Sequence, residues 1–184
     1  MHVTRPNRSR THRFWADRRG AAAVEFALLV PLLALIYFGV VEVTQGAMAE
    51  QRVAHTASAI GDLVAQSSTI TSAEVGDIFA VGDTVMSPYP ATGLQMRISS
   101  LTADKNGAVT VAWSQARGMS ALTKGAAAPS LPTNVVAANE SVIMGESSYA
   151  YQSVFGMVLP QPITFKETYY LHPRLSTQVT CADC

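Results

Sequence analysis

Cysteine is nearly missing from this chain: Cys181 and Cys184 are the only two among 184 residues. No zinc-type spacing links them to histidine, and the four histidines, His2, His12, His55 and His172, lie far apart. Asp and Glu are few and scattered, and there is neither a phosphate-cradling glycine loop nor a nucleophile motif. These gaps argue against an enzyme, a cofactor, a bound metal or a small-molecule substrate. Cys181-Ala182-Asp183-Cys184 is formally a C-x-x-C pair. A redox or metal role would need a helix start or further ligands, so the pair reads as a small disulfide or two free thiols. Asn139-Glu140-Ser141 fits an acceptor sequon, too short a pattern to build on.

Charge is sparse and unevenly placed. Residues 1–20 hold six Arg (Arg5, Arg8, Arg10, Arg13, Arg18, Arg19) against Asp17, while the rest holds seven Lys or Arg against twelve Asp or Glu. A basic arm can seek nucleic acid or acidic lipid. This one abuts an apolar run from Ala21 to Val41, and positive charge beside such a run marks the cytoplasmic flank of a spanning helix. Arg18 and Arg19 are therefore a topology signal, and nucleic acid is not an expected partner. A run of this length reaches roughly 32 Å as a helix, the thickness of a hydrocarbon core. No polar stripe interrupts it between Phe26 and Val41, and Pro31 is tolerated within a spanning helix. Glu25 sits inside its cytoplasmic edge, where a carboxylate is a functional-site hypothesis by default.

Beyond Val41 the helical pattern continues to Gln66. Val53, Ala57, Ile60 and Val64 form one apolar stripe, and Gly46 and Gly61 weaken the helix. Thr71-Ser72-Ala73-Glu74 is a capping box opening a second helix, whose buried face is Val75, Ile78, Phe79 and then Val85 or Met86. From Leu94 the period becomes two. Leu94, Met96 and Ile98, then Val109, Val111 and Trp113, make a hairpin with one buried face around Asn106-Gly107, a pair suited to positive φ. Gly118 to Asn134 reads as a surface loop, and Ser141–Tyr151 and Ile163–Leu171 as two more strands. The aromatics Tyr149, Tyr151, Phe155, Phe165, Tyr169 and Tyr170 fit core packing better than a contact surface. The fold class is α+β: a long N-terminal transmembrane and amphipathic helix, then a small antiparallel sheet packed on helices. The divisions are a basic leader (1–20), a transmembrane helix (21–41), an amphipathic extension (42–66) and a globular head (67–184).

A basic leader, Gly20, four small or apolar residues, Glu25-Phe26 and a spanning helix resemble a type IV prepilin signal. The longer passage from Arg18 to Leu33 is similar to the TadE-like family, minor pseudopilins of the tight-adherence (Tad, Flp) pilus system. Softer likeness extends over Ala49–Ser68, Glu146–Tyr151 and Glu167–Arg174. The resemblance implies cleavage between Gly20 and Ala21 by a prepilin peptidase in a bacterial inner membrane. It implies that Glu25, with Phe26 beside it, serves recognition and assembly, the carboxylate pairing with a neighbour's terminal amine. The implied partners are that peptidase, other Tad pilus subunits, assembly-platform proteins and membrane lipid. The implied placement is single-pass, with the N-terminus cytoplasmic and the head extracytoplasmic or carried into a surface pilus. A head of this size departs from the short major Flp subunit and favours a minor or assembly role. Two alternatives stay open: an unprocessed membrane-anchored binding domain, and a secreted domain cut after Ala47-Met48-Ala49.

Overall fold

A computed structural model describes residues 20–129, 131–133 and 135–184. The chain divides between Val41 and Glu42 into two compact units. The first helix, α1, runs Ala21–Ala65 with Pro31 inside it. Up to Val41, exposed apolar side chains such as Phe26, Leu29, Leu32, Leu33, Ile36 and Val40 point in every direction around it. A core helix of a water-soluble domain would bury one side; α1 is long and apolar enough to cross a membrane instead.

The second unit is built on the other part of α1. Its buried residues Gly46, Ala49, Val53, Ala57, Ile60 and Val64 follow the three-and-four spacing of the expected stripe, extended backward by two turns. Helix α2 (Ser72–Met86) begins at the predicted capping box: the Thr71 side chain accepts from the Glu74 N–H while the Glu74 carboxylate accepts from the Thr71 N–H. Strands β2 (Leu94–Ala103), β3 (Val109–Arg117), β4 (Ser141–Tyr151) and β5 (Ile163–Leu171) form one antiparallel sheet in the order β3-β2-β4-β5. The helices cover one face. Val53, Ile60 and Val64 of α1 and Val75, Phe79 and Met86 of α2 pack with Met96, Ile98, Trp113, Ile143 and Tyr149. Each such aliphatic or aromatic side chain contributes about 1.5–3 kcal/mol by leaving water.

Three details depart from the sequence reading. The hairpin does not bury a single face. Trp113 pairs with Ser100 and Val111 with Leu101, so Ala112 is an extra residue that reverses the alternation. Trp113 faces the helices, whereas Val111 joins Leu101, Val142 and Met144 in a second core. The segment after Gly118 is therefore more than surface loop: Leu122, Ala128, Leu131, Val135 and Val136 cover that second core. The turn differs as well. Gly107 has φ +80° but Asn106 does not take positive φ. Asp104 organises the turn instead, its carboxylate accepting the N–H groups of Asn106 and Ala108 at 2.8 Å each.

Two short strands that periodicity does not reveal, β1 (Thr69–Ile70) and β6 (Thr180–Cys181), pair in parallel. They bring residues 172–184 across the joint between α1 and α2. The Arg174 N–H donates to the Ala65 carbonyl, the Trp113 indole to the Val179 carbonyl at 2.8 Å, and Val179 is fully buried.

Candidate functional site

At the start of α1, the Gly20 carbonyl accepts the Val24 N–H at 3.1 Å, so Gly20 closes the first helical turn. A Cβ placed on Gly20 would meet nothing within 4 Å. Packing among the described residues therefore gives no reason for a glycine there. Glu25 is exposed one turn later and, among the described residues, has no hydrogen-bond or ionic partner; Phe26 beside it is also exposed. Arg18 and Arg19 lie outside the described residues.

A second carboxylate on α1 was not singled out by its sequence. Glu42 is fully buried although it directly follows the apolar run. Its side chain is enclosed by the segment 153–159. The Ser153 hydroxyl and the Met157 N–H (3.1 Å) donate to Oε1, and the N–H groups of Val158 (2.6 Å) and Leu159 (3.3 Å) donate to Oε2. The Ser153 hydrogen bond is the largest influence on its acidity. Burial opposes it, the three N–H groups reinforce it, and the carboxyl is held at about 2. Among the described residues Glu42 has no cation at its side, and it is stabilised by oriented dipoles. A signal did exist: residues 42, 46, 49 and 53 continue the buried stripe, putting Glu42 on the head-facing side of α1. The donors lie more than a hundred residues onward, where no spacing rule reaches.

That enclosure shapes an apolar loop. Gly156 turns with φ +63°, and its N–H contacts the Ser153 hydroxyl at 3.5 Å. Val154 is 89% exposed and Phe155, Met157 and Val158 about half. Leu159 turns inward against the core. Nearby, the Tyr89 hydroxyl donates to the Gln45 carbonyl at 2.8 Å, and its ring meets Tyr151 edge-on. Of the aromatics assigned to the core, Tyr149 and Tyr151 are buried and Phe165 and Tyr170 partly so. Tyr169 and Phe155 remain exposed.

Cys181 and Cys184 are joined as a disulfide. Neither sulfur is then a free thiolate, so these atoms and Asp183 do not form a metal site in this state. Asp183 instead accepts both the N–H and the hydroxyl of Ser72 at 2.6 Å, fixing the first turn of α2. Those bonds, the hydroxyl first, lower its pKa below the ordinary value. An open hollow of about 410 Å³ lies beside Glu140, Ser141 and His172. The Ser141 hydroxyl is spent on the Thr177 carbonyl.

The family model described as TadE-like protein matches residues 20–61. That span opens at Gly20, includes Glu25 and Glu42, and stops at Gly61 of α1. No curated protein and no solved structure matches the chain.

Proposed function

We propose, taking the TadE-like character of residues 20–61 as the premise, that this chain is a minor-pilin-like structural subunit or assembly factor of a Tad-type pilus. Its N-terminal helix is held in a bacterial inner membrane, with the head outside the cytoplasm. A prepilin peptidase removes the basic leader between Gly20 and Ala21. The observation carrying this reading is the beginning of the family match at a glycine that packing among the described residues does not require. A peptidase that must approach the backbone supplies the requirement, because a residue without Cβ lets it come close.

Cleavage would create an α-amino group at Ala21, mostly cationic at neutral pH. Glu25 stands one helical turn away without an ionic partner among the described residues, so a neighbouring subunit's amine can pair with it in lipid. Arg18 and Arg19 hold the leader at the cytoplasmic side until the cut. The head is then a contact module for other pilus subunits or for the assembly platform.

The test is the N-terminus of membrane-extracted protein, by intact mass and terminal peptide mapping, in cells with and without the prepilin peptidase. A peptidase-dependent start at Ala21 is expected. An intact arm in both strains would mean an unprocessed anchored binding domain. A start at Glu50 would mean a secreted one.

A further inference from the structure

We infer that the loop Val154–Val158 is a second membrane contact, seated in the headgroup and acyl boundary of the extracytoplasmic leaflet. This rests on the anchoring part of the proposed function and is independent of processing.

Two kinds of observation point to lipid. The first is composition and exposure. No charged residue occurs between Glu146 and Lys166, and Val154, Phe155, Met157 and Val158 together expose an apolar ridge. Such a ridge marks an interaction site, and apolar and aromatic side chains of this kind suit the boundary of a bilayer. The loop is held by Glu42, the residue that immediately follows the apolar run. Covalent connection alone therefore ties the loop to the place where the chain leaves hydrocarbon.

The second is the accounting of backbone donors. A loop in contact with water can leave its N–H groups to solvent; a loop entering lipid cannot. From Met157 to Leu159 every N–H is bonded to Glu42, Gly156 reaches Ser153, and Pro160 and Pro162 carry no N–H. The same arrangement removes the Glu42 charge from the loop's surface. One carboxylate thus satisfies the donors of Met157, Val158 and Leu159 and keeps its own charge away from acyl chains and anionic headgroups. A dry protein interface would ask the same of these donors, and it is the position of Glu42 directly after the apolar run that favours lipid.

The test uses the full chain in nanodiscs of phosphatidylethanolamine and phosphatidylglycerol, with a nitroxide on Val154→Cys. The native cysteines are joined to each other, so the label goes to the new thiol. Power saturation compares contact with oxygen, which concentrates in lipid, and with a nickel chelate, which stays in water. Labels on Leu33→Cys and on Asn106→Cys at the hairpin turn give the lipid and aqueous references. The expected result is an oxygen-to-nickel ratio at residue 154 severalfold above that at residue 106. Glu42→Gln in the Val154→Cys chain should lower that ratio. A ratio at residue 154 equal to that at residue 106, with Leu33 in lipid, overturns the inference alone. An aqueous Leu33 overturns the anchoring reading with it. Protection of residue 154 only after other pilus subunits are added assigns the ridge to a protein and also overturns the inference.

Discussion

Gly145 of β4 lies directly beneath Gly61 of α1: a Cβ built on Gly145 would stand 3.3 Å from the Gly61 Cα and collide with the Ala57 carbonyl oxygen. Helix and sheet meet backbone to backbone at this point. A buried bond nearby, from the Ser147 hydroxyl to the Val53 carbonyl at 2.7 Å, holds the same approach.

Gly145→Ala should therefore destabilise the head by about 1–3 kcal/mol, since a rigid backbone atom receives the added methyl. Gly61→Ala should cost less. Its Cβ would meet the tip of the Leu171 side chain at 2.7 Å, which can rotate, and alanine gains about 1 kcal/mol of helix propensity. Thermal unfolding of the two variants in detergent should rank Gly145→Ala clearly lower. Equal melting temperatures would show that the close approach is not limiting.

Acid should loosen the Glu42 enclosure. The carboxyl titrates at about 2 in the folded chain against 4.5 ordinarily, so between those values the unfolded state binds more protons. Stability from this group is full above about pH 4.5 and disappears as pH falls through about 2. Protection of the Val158 and Leu159 amides against hydrogen exchange, taken relative to the intrinsic rate at each pH, should fall over that window. In Glu42→Gln this fall should be absent and protection low throughout. An unchanged pH profile in that variant would remove Glu42 as its source.

On the sheet face away from the helices, Arg97 and Glu146 pair across β2 and β4 through two bonds of 2.5 and 2.7 Å, each side chain 17% exposed. Arg97 also donates to the Ser120 carbonyl at 3.0 Å, pinning the segment over the second core. A double-mutant cycle with Arg97→Met and Glu146→Gln should return a coupling of roughly 0.5–3 kcal/mol. Arg97→Met alone should increase proteolysis after Lys124, by releasing the loop.

Glu25→Ala should leave insertion intact, because removing a carboxylate from an apolar helix favours lipid. Under the proposed function the variant should lose piliation or surface adherence while remaining in the membrane. Normal piliation would end the assembly role given to Glu25.

Much of this architecture was readable from local pattern. The stripe Val53, Ala57, Ile60 and Val64, the Thr71–Glu74 capping box and the four strands all follow from spacing within a few residues, and all appear. What escaped was set by distance or by a single residue. Thr69–Ile70 and Thr180–Cys181 are too short to show a period, and a partner 111 residues away makes them strands. Ala112 shifts the register of β3, which no alternation rule anticipates. Glu42 looked like one more acidic residue beyond a membrane span because its four donors come from residues 153–159. The motif at Gly20 and Glu25 is contiguous, and the TadE-like match over residues 20–61 covers it.

The placement of Val179 gives the head an order of completion. Trp113 finds its carbonyl, Ser72 its carboxylate and β1 its partner only in residues 179–183. If, as proposed, the head is exported from its anchored end, the earlier strands and both helices emerge with this seam still open. The head therefore cannot lock until that segment has crossed too. Under that reading a half-exported head carries an unsealed core and a finished one does not.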